Sequence, residues 1–242
     1  MQAMILNSGI GKRMGRLTRD KPKCLIELTN HETILTRQLR LLLTNGINDI
    51  IITTGPFEEK IKDEISANFL KNDLNIDFVH NDRYKDTNYI YSMYLARNTI
   101  KNDLLLLHGD LVFTTELLSK FLTLDEKNAV LINTKASVPI KDFKGRVIEN
   151  RIKQIGVDVF GDRCHVLMPM YKFKKSSFDF WMKEIESFVE DSSINVYAEN
   201  ALNNVLEKIN LKPFEFANLF CSEVDDYDDL QNVRMFLSNG ND

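Results

Sequence analysis

Gly9 and Gly11, with Lys12 and Arg13 immediately after and Lys23 a little later, stand at the end of an apolar run from Met1 to Leu6. Glycines let a backbone approach an anion closely and turn its N–H groups towards it, and the three cations supply charge that backbone dipoles cannot. Such a set could bind a nucleotide or another polyphosphate at the end of a strand. Arg13 follows Gly11-Lys12 where a Walker A loop has Ser or Thr, and Met14 stands where a dinucleotide fingerprint has its third glycine. A Gly-x-Gly pair also suits an ordinary strand-to-helix turn with solvated basic side chains, so the loop alone leaves both readings open.

A phosphate loop needs a rigid sheet edge beneath it, and the pattern after the loop supplies one. Ile34, Leu35, Leu39, Leu42 and Leu43 recur at helical spacing within Glu32 to Asn45, and Asn45-Gly46 is a stop signal. The pattern predicts a strand from Asp49 to Thr53, a helix from Phe57 to Leu70 and a strand from Asn75 to Val79. It predicts a further helix from Tyr89 to Asn98 and an apolar strand from Asp103 to Leu107. This alternation predicts an α/β fold, a Rossmann-like mostly parallel sheet flanked by helices, with ligands at the carboxyl ends of the strands. From Ala129 the pattern shifts to short extended segments: Ala129 to Asn133, Gly145 to Glu149, Lys153 to Val159 and His165 to Phe173. Helices follow at Ser176 to Glu190 and Ala198 to Lys208, then a strand at Phe214 to Ala217 and a closing helix at Asp226 to Leu237.

Length and composition suit one domain with a small lobe and no internal repeat: a core over 1–135, a second lobe over 136–215 and a closing segment over 216–242. With 31 Lys and Arg against 35 Asp and Glu, the net charge of −4 argues against a dedicated nucleic-acid binder. No apolar stretch reaches the length of a membrane span or of a secretion-signal core, which leads us to expect a cytoplasmic protein without membrane insertion. Cys24, Cys164 and Cys221 are odd in number and far apart, as free thiols in a reducing compartment would be. A homo-oligomer is compatible with the pattern, which does not separate exposed apolar patches from core faces.

The ordered set Gly9-x-Gly11-x-Arg13-Met14, Leu17-Thr18 and Pro22-Lys23-x-Leu25 resembles the N-terminal signature of the nucleotidyltransferases that join sugar 1-phosphates, phosphocholine and related phosphates to nucleoside triphosphates. Gly46 to Gly55 is similar to the second strand and glycine turn of that family. Leu104 to Leu107 with Gly109-Asp110, and Glu223-Val224-Asp225 with Asp229-Leu230, look like its two acidic motifs. The pieces keep the family's order from Met1 to about Leu230. Two departures stand out: Asn7-Ser8-Gly9 replaces the usual Ala-Ala-Gly, and His108 precedes Gly109-Asp110 where an acidic or small residue is usual.

The resemblance implies that Lys23 stabilises the transition state on the phosphates, that Lys12 and Arg13 bind the triphosphate, and that Asp110 and Asp225 hold Mg²⁺. Read alone, Asp110 is a turn aspartate and Asp225 a helix N-cap, while Asp226, Asp228 and Asp229 suit a helix's first turn. The stretch Asn88-x-x-x-Ser92-x-Tyr94-Leu95 looks like the cytidylyltransferase branch that handles phosphocholine and small phosphonates. That likeness implies CTP, with Asn88 and Ser92 near the base, Gly55 on its other side, and Asn7, Ser8, Gly9 and Gly11 along the nucleotide. A helix capped by Asn88, with tyrosines on the sheet, is the plain alternative. Lys153 resembles the basic segment that faces the acceptor phosphate, and equally suits a strand surface.

Tyr171, Tyr197, Glu199 and Asn200 fall in the second lobe and are candidates for binding a small phosphorylated acceptor. An aromatic cage with a carboxylate, as Tyr197 and Glu199 offer, suits a quaternary ammonium. Trp181 lies on an apolar helical face and reads as core. Phosphocholine, a phosphonate and a phosphorylated amine or amino acid remain open as acceptors. A sugar-1-phosphate enzyme using dTTP or UTP, and a non-catalytic nucleotide sensor, remain as alternatives.

Overall fold

The computed structural model describes residues 1–29, 31–138 and 140–240. Its strands are β1 (Gln2–Asn7), β2 (Glu27–Thr29), β3 (Glu32–Thr33), β4 (Asp49–Thr54), β5 (Asn75–His80), β6 (Leu104–His108) and β7 (Leu111–Phe113). The remaining strands are β8 (Ala129–Asn133), β9 (Lys144–Ile148), β10 (Arg151–Gly156), β11 (Cys164–Phe173), β12 (Lys212–Glu215) and β13 (Cys221–Glu223). The helices are α1 (Ile34–Thr44), α2 (Glu58–Asn68), α3 (Tyr89–Leu95), α4 (Thr115–Thr123), α5 (Lys175–Glu190), α6 (Ala198–Asn203) and α7 (Tyr227–Ser238).

The fold is mixed α/β, as expected, around a sheet ordered β10-β9-β11-β6-β1-β4-β5, with β8 and β12 branching from β11. The strands β6, β1, β4 and β5 run parallel, and β11 joins β6 antiparallel. A strand flanked on both sides within a covered sheet buries both faces, which is why β1 and β6 are nearly continuous apolar runs. Successive side chains still alternate between layers. Ala3 and Ile5 pack with Leu35, Leu39, Ile61, Leu117 and Leu118 of α1, α2 and α4, whereas Met4 packs with Ile90 and Met93 of α3 and Trp181 of α5.

Local chemistry sets the element ends. Thr33 and Thr36 form a reciprocal capping box at the start of α1, and Asn45-Gly46 follows its last turn. The segment expected as helix to Asn98 is α-helical to Leu95 and tightens to a 3-10 turn over Ala96–Asn98. The segment expected as helix to Lys208 stops at Asn203, whose side chain binds both backbone groups of Ile155 in β10, at 2.8 and 2.7 Å. Trp181 is fully buried and donates to the carbonyl of Ala198 at 2.9 Å, in keeping with its reading as core. All three cysteines are buried and free. Among the described residues, no helix is long and apolar enough to cross a membrane.

Candidate active site

The carboxyl ends of β1, β5 and β6 open into a cavity of about 380 Å³. Its lining includes Asn7, Ser8, Gly9, Gly11, Lys12 and Arg13 from the glycine loop, then Lys23, Asn88, Ser92 and Asp110. The loop itself coils into 3-10 turns over Lys12–Thr18, entered through Gly11 at φ 71° and broken at Gly15. The sheet edge is crowded there. A Cβ at Gly109 would lie 1.7 Å from Asn7 Oδ1, so only glycine lets β6 turn against the end of β1 and present Asp110 to the loop.

Gly55 departs from its expected role. It does not line the cavity but packs behind it, where a Cβ would fall 2.4 Å from the carbonyl oxygen of Ser8. It acts on the site by letting Ser8 sit close to the end of β4.

Lys23 Nζ lies 2.7 Å from Asp110 Oδ2 and 2.7 Å from Asp225 Oδ1, and Arg13 reaches the other oxygen of Asp225 at 2.8 Å. Four separate stretches of chain thus converge on one charged cluster. Burial alone would lower the Lys23 pKa, but Asp110 and Asp225 outweigh it and hold it above the ordinary value. Burial likewise opposes ionisation of Asp110, and the adjacent Lys23 overcomes it and keeps that carboxyl below its usual range. Asp225 is not the helix cap: Asp226 caps α7 in a reciprocal box with Asp229, leaving the Asp225 carboxylate for the site.

Beside this cluster, His108, Asp110 and Glu223 bring one ligand-capable atom each within 4.8 Å of one another. Burial lowers the His108 pKa, favouring the neutral ring, and burial together with Asp110 and Asp225 pushes the Glu223 carboxyl well up. Asp110 Oδ1 is buried with no hydrogen-bond partner among the described residues. An excess of carboxyl oxygens around an unsatisfied Oδ1 is a donor set that suits a hard divalent cation such as Mg²⁺, so the residues present fit the metal role expected of Asp110 and Asp225.

A second cavity, of about 560 Å³, adjoins the first through Asn88 and is lined by Phe143, Asp158, Tyr197, Glu199 and Asn200 among others. Glu199, 1% exposed, accepts hydrogen bonds from Tyr89 and from Tyr171, the latter at 2.8 Å. Burial and the Glu199 charge raise both phenol pKa values well above normal, so both remain donors. Tyr197 packs edge-on against Phe143 with ring centroids 5.0 Å apart.

Residues 3–165 match the MobA-like NTP transferase domain. The chain belongs to that family and is a nucleotidyltransferase. It is 24% identical to the choline-phosphate cytidylyltransferase of Streptococcus pneumoniae over the full length of both chains. It is 26% identical to the CTP:phosphoglutamine cytidylyltransferase of Campylobacter jejuni, covering 96% of this chain and 98% of that one. Among solved structures, the CTP:phosphocholine cytidylyltransferase of Streptococcus pneumoniae superposes with a TM-score of 0.79 at 20% identity, covering 98% of each chain, which shows the shared fold.

Within this nucleotidyltransferase, two expected acceptor contacts are placed elsewhere. Lys153 lines neither cavity, because its position on β10 points it to Glu207, with which it pairs at 2.9 Å. Tyr171 is fully buried on β11 and reaches the second cavity only through Glu199, which it orients. Sequence reasoning missed Tyr89 and Asn81, which line the first cavity, and Asp158, which lines the second. Asn81 directly follows a strand end, a position that could have drawn attention, whereas Asp158 lies in a turn that only folding brings round.

Proposed function

We propose that this protein transfers CMP from CTP to a small phosphorylated acceptor with Mg²⁺ present, releasing pyrophosphate. The observation that carries the reading is the convergence of Lys12, Arg13 and Lys23 with Asp110 and Asp225 at the strand ends, beside a second cavity. The similarity to enzymes named for CTP supports the nucleotide. An acceptor phosphate oxygen, already ionised at neutral pH, forms the new bond to the α-phosphorus while the bond to pyrophosphate breaks, so no strong general base is needed. The protein's share is to position two anions in line and neutralise the charge that builds between them. Lys12 and Arg13 hold the leaving phosphates, and Lys23, released from its carboxylates, faces the α-phosphate. Asp110 and Asp225 would hold Mg²⁺, which would supply positive charge to offset that of the two anionic reactants.

The acceptor end supports a phosphorylated amine. Among the described residues lining the second cavity there is no Lys or Arg, whereas Glu199 and Asp158 offer carboxylates and Phe143 and Tyr197 aromatic faces. Such a wall attracts a cationic head group and offers a carboxylate only neutral amide donors such as Asn200, without a cation.

The test is pyrophosphate release with Mg²⁺, using five nucleoside triphosphates against phosphocholine, other phosphorylated amines, aminoalkyl phosphonates, phosphorylated amino acids and sugar 1-phosphates. Release with CTP and one phosphorylated amine is expected. Turnover confined to a sugar 1-phosphate with UTP or dTTP would sink the reading, and binding of nucleotide without any release would make the protein a sensor.

A further inference from the structure

Asn81 is 1% exposed and directly follows β5. Its backbone N–H donates to the carbonyl of Thr54 at 2.9 Å, and its side-chain oxygen accepts from the backbone N–H of Arg83 at 2.9 Å. That second bond fixes which way the amide faces. The NH₂ group then donates to Thr87 Oγ1 at 3.1 Å and to Ser92 Oγ at 3.0 Å.

An amide nitrogen only donates, whereas a hydroxyl both donates and accepts. Ser92 Oγ, having accepted from Asn81, sends its own hydrogen to Ser8 Oγ at 3.0 Å. Ser8 Oγ therefore also accepts, and its hydrogen is left over. Among the described residues no group takes it, and Ser8 lines the nucleotide cavity. The chain Asn81 to Ser92 to Ser8 is a one-way relay that ends in a donor at the cavity wall.

The cations of that cavity, Lys12, Arg13 and Lys23, come from the glycine loop and the segment after it, and they suit the phosphates. The stretch supplying Asn81, Thr87, Asn88 and Ser92 is uncharged at these positions and suits the nucleoside. Asn7 adds a second unsatisfied donor on the same wall, since its Nδ2 is buried without a partner among the described residues.

We propose that Ser8 reads the nucleobase as an obligate hydrogen-bond donor whose polarity is imposed through Ser92 by Asn81, selecting cytosine over uracil. Cytosine offers an acceptor at N3, whereas uracil and thymine carry N3–H, which would face the Ser8 hydrogen donor to donor. This rests on the CTP reading above and names the residues that enforce it. Ser8 touches the base, and Ser92 and Asn81 act as positioning residues.

The experiment measures CTP and UTP dissociation constants by calorimetry with Mg²⁺ present, alongside kcat/KM for both nucleotides, in the wild type, Ser8→Ala, Ser92→Ala and Asn81→Asp. The wild type should prefer CTP. Ser8→Ala should cut the CTP-to-UTP ratio by about tenfold to a hundredfold, the discrimination one base-edge hydrogen bond typically gives. Ser92→Ala frees the Ser8 hydroxyl to turn and should cut the ratio by less.

Asn81→Asp should reverse the relay. A carboxylate accepts from Ser92, Ser92 then accepts from Ser8, and the Ser8 oxygen presents a lone pair to the pocket, so UTP should gain on CTP. A purely structural role would weaken both nucleotides alike. If Asn81→Asp does not fold, as its thermal melt will tell, the two serine variants decide. CTP preference untouched in Ser8→Ala and Ser92→Ala would overturn the relay and leave the CTP reading standing. A wild type that binds UTP as well as CTP would overturn both. CTP-selective binding that Ser8→Ala abolishes, without turnover of any acceptor, would support the relay and sink the transferase reading.

Discussion

The two cavities that meet at Asn88 solve opposite problems. At the nucleotide end, charge is concentrated and internally neutralised: Lys23 spans Asp110 and Asp225 at 2.7 Å each, and Arg13 covers the far side of Asp225. At the acceptor end, the buried carboxylate of Glu199 is held by neutral phenols instead, and no described cation lines the cavity. A lysine held between two carboxylates keeps its positive charge at the cavity, which suits a site that receives anions. A carboxylate held by two phenol donors has hydrogen bonds but no counter-charge among those partners, which suits a site for a positive ligand. The first cavity thus lies at the parallel half of the sheet, and the second lies over the antiparallel wing, where α6 packs on β10. In the function proposed above, the first would carry the reaction and the second the choice of acceptor.

Removing charge from the first cluster should break the comparison most severely. Asp110→Asn is expected to lower kcat/KM by about a thousandfold or more in pyrophosphate release, since it strips the oxygen set that suits the metal. Retained activity would take Asp110 out of the reaction. Lys23→Met should cost about a hundredfold, mostly in kcat, as loss of a donor aimed at developing charge does. It should also unpair Asp110 and leave Asp225 with Arg13 alone, so Mn²⁺ binding to the free protein, followed by electron paramagnetic resonance, should tighten.

Changes at the second cavity should act on binding rather than on chemistry. Glu199→Gln keeps the shape and removes the charge, and it should raise KM for the acceptor by about tenfold to a hundredfold with kcat and KM for CTP little changed. An unaltered acceptor KM would move the head group elsewhere. Lys153→Ala, by contrast, should leave both Michaelis constants within about twofold, because it breaks only a surface pair with Glu207.

The smallest effect belongs to a cluster at the carboxyl ends of β4 and β5, around Glu58. Hydrogen bonds from Lys62, then Thr54 and His80, hold the Glu58 carboxyl down to about 2 from an ordinary 4.5, against the opposing effect of burial. The folded value lies below the unfolded one, so the stabilisation is complete above about pH 4.5 and is lost as pH falls towards 2. Glu58→Gln should flatten the melting temperature between those pH values by a degree or two at most, since a half-exposed network of this kind is worth under about 1 kcal/mol. An unchanged acid limb would assign that sensitivity to other carboxylates.

Much of the scaffold was legible because its signals are local. The run before Gly9, the helical spacing from Ile34 to Leu43 and the stop at Asn45-Gly46 each identify an element without reference to the rest of the chain. The helix α4, starting at Thr115, and the strand pair β7 with β13 were not anticipated. The first is a short helix and the second pairs Leu111 to Phe113 with Cys221 to Glu223, a partnership that no window of sequence contains. That pairing also sets Glu223 beside Asp110.

By itself, the sequence determined the alternation of elements, the glycine and cation loop and the acidic strand end, because period, turn chemistry and charge are properties of neighbouring residues. Only the tertiary structure decided that Asp226 and not Asp225 caps α7, that Lys153 turns away to Glu207, and that Tyr89 and Tyr171 close on Glu199. It alone ordered Asn81, Ser92 and Ser8 into one chain of donors. The physical reason is the same each time: a side chain's role depends on which partner satisfies it, and the partners come from segments that meet only when the sheet has formed.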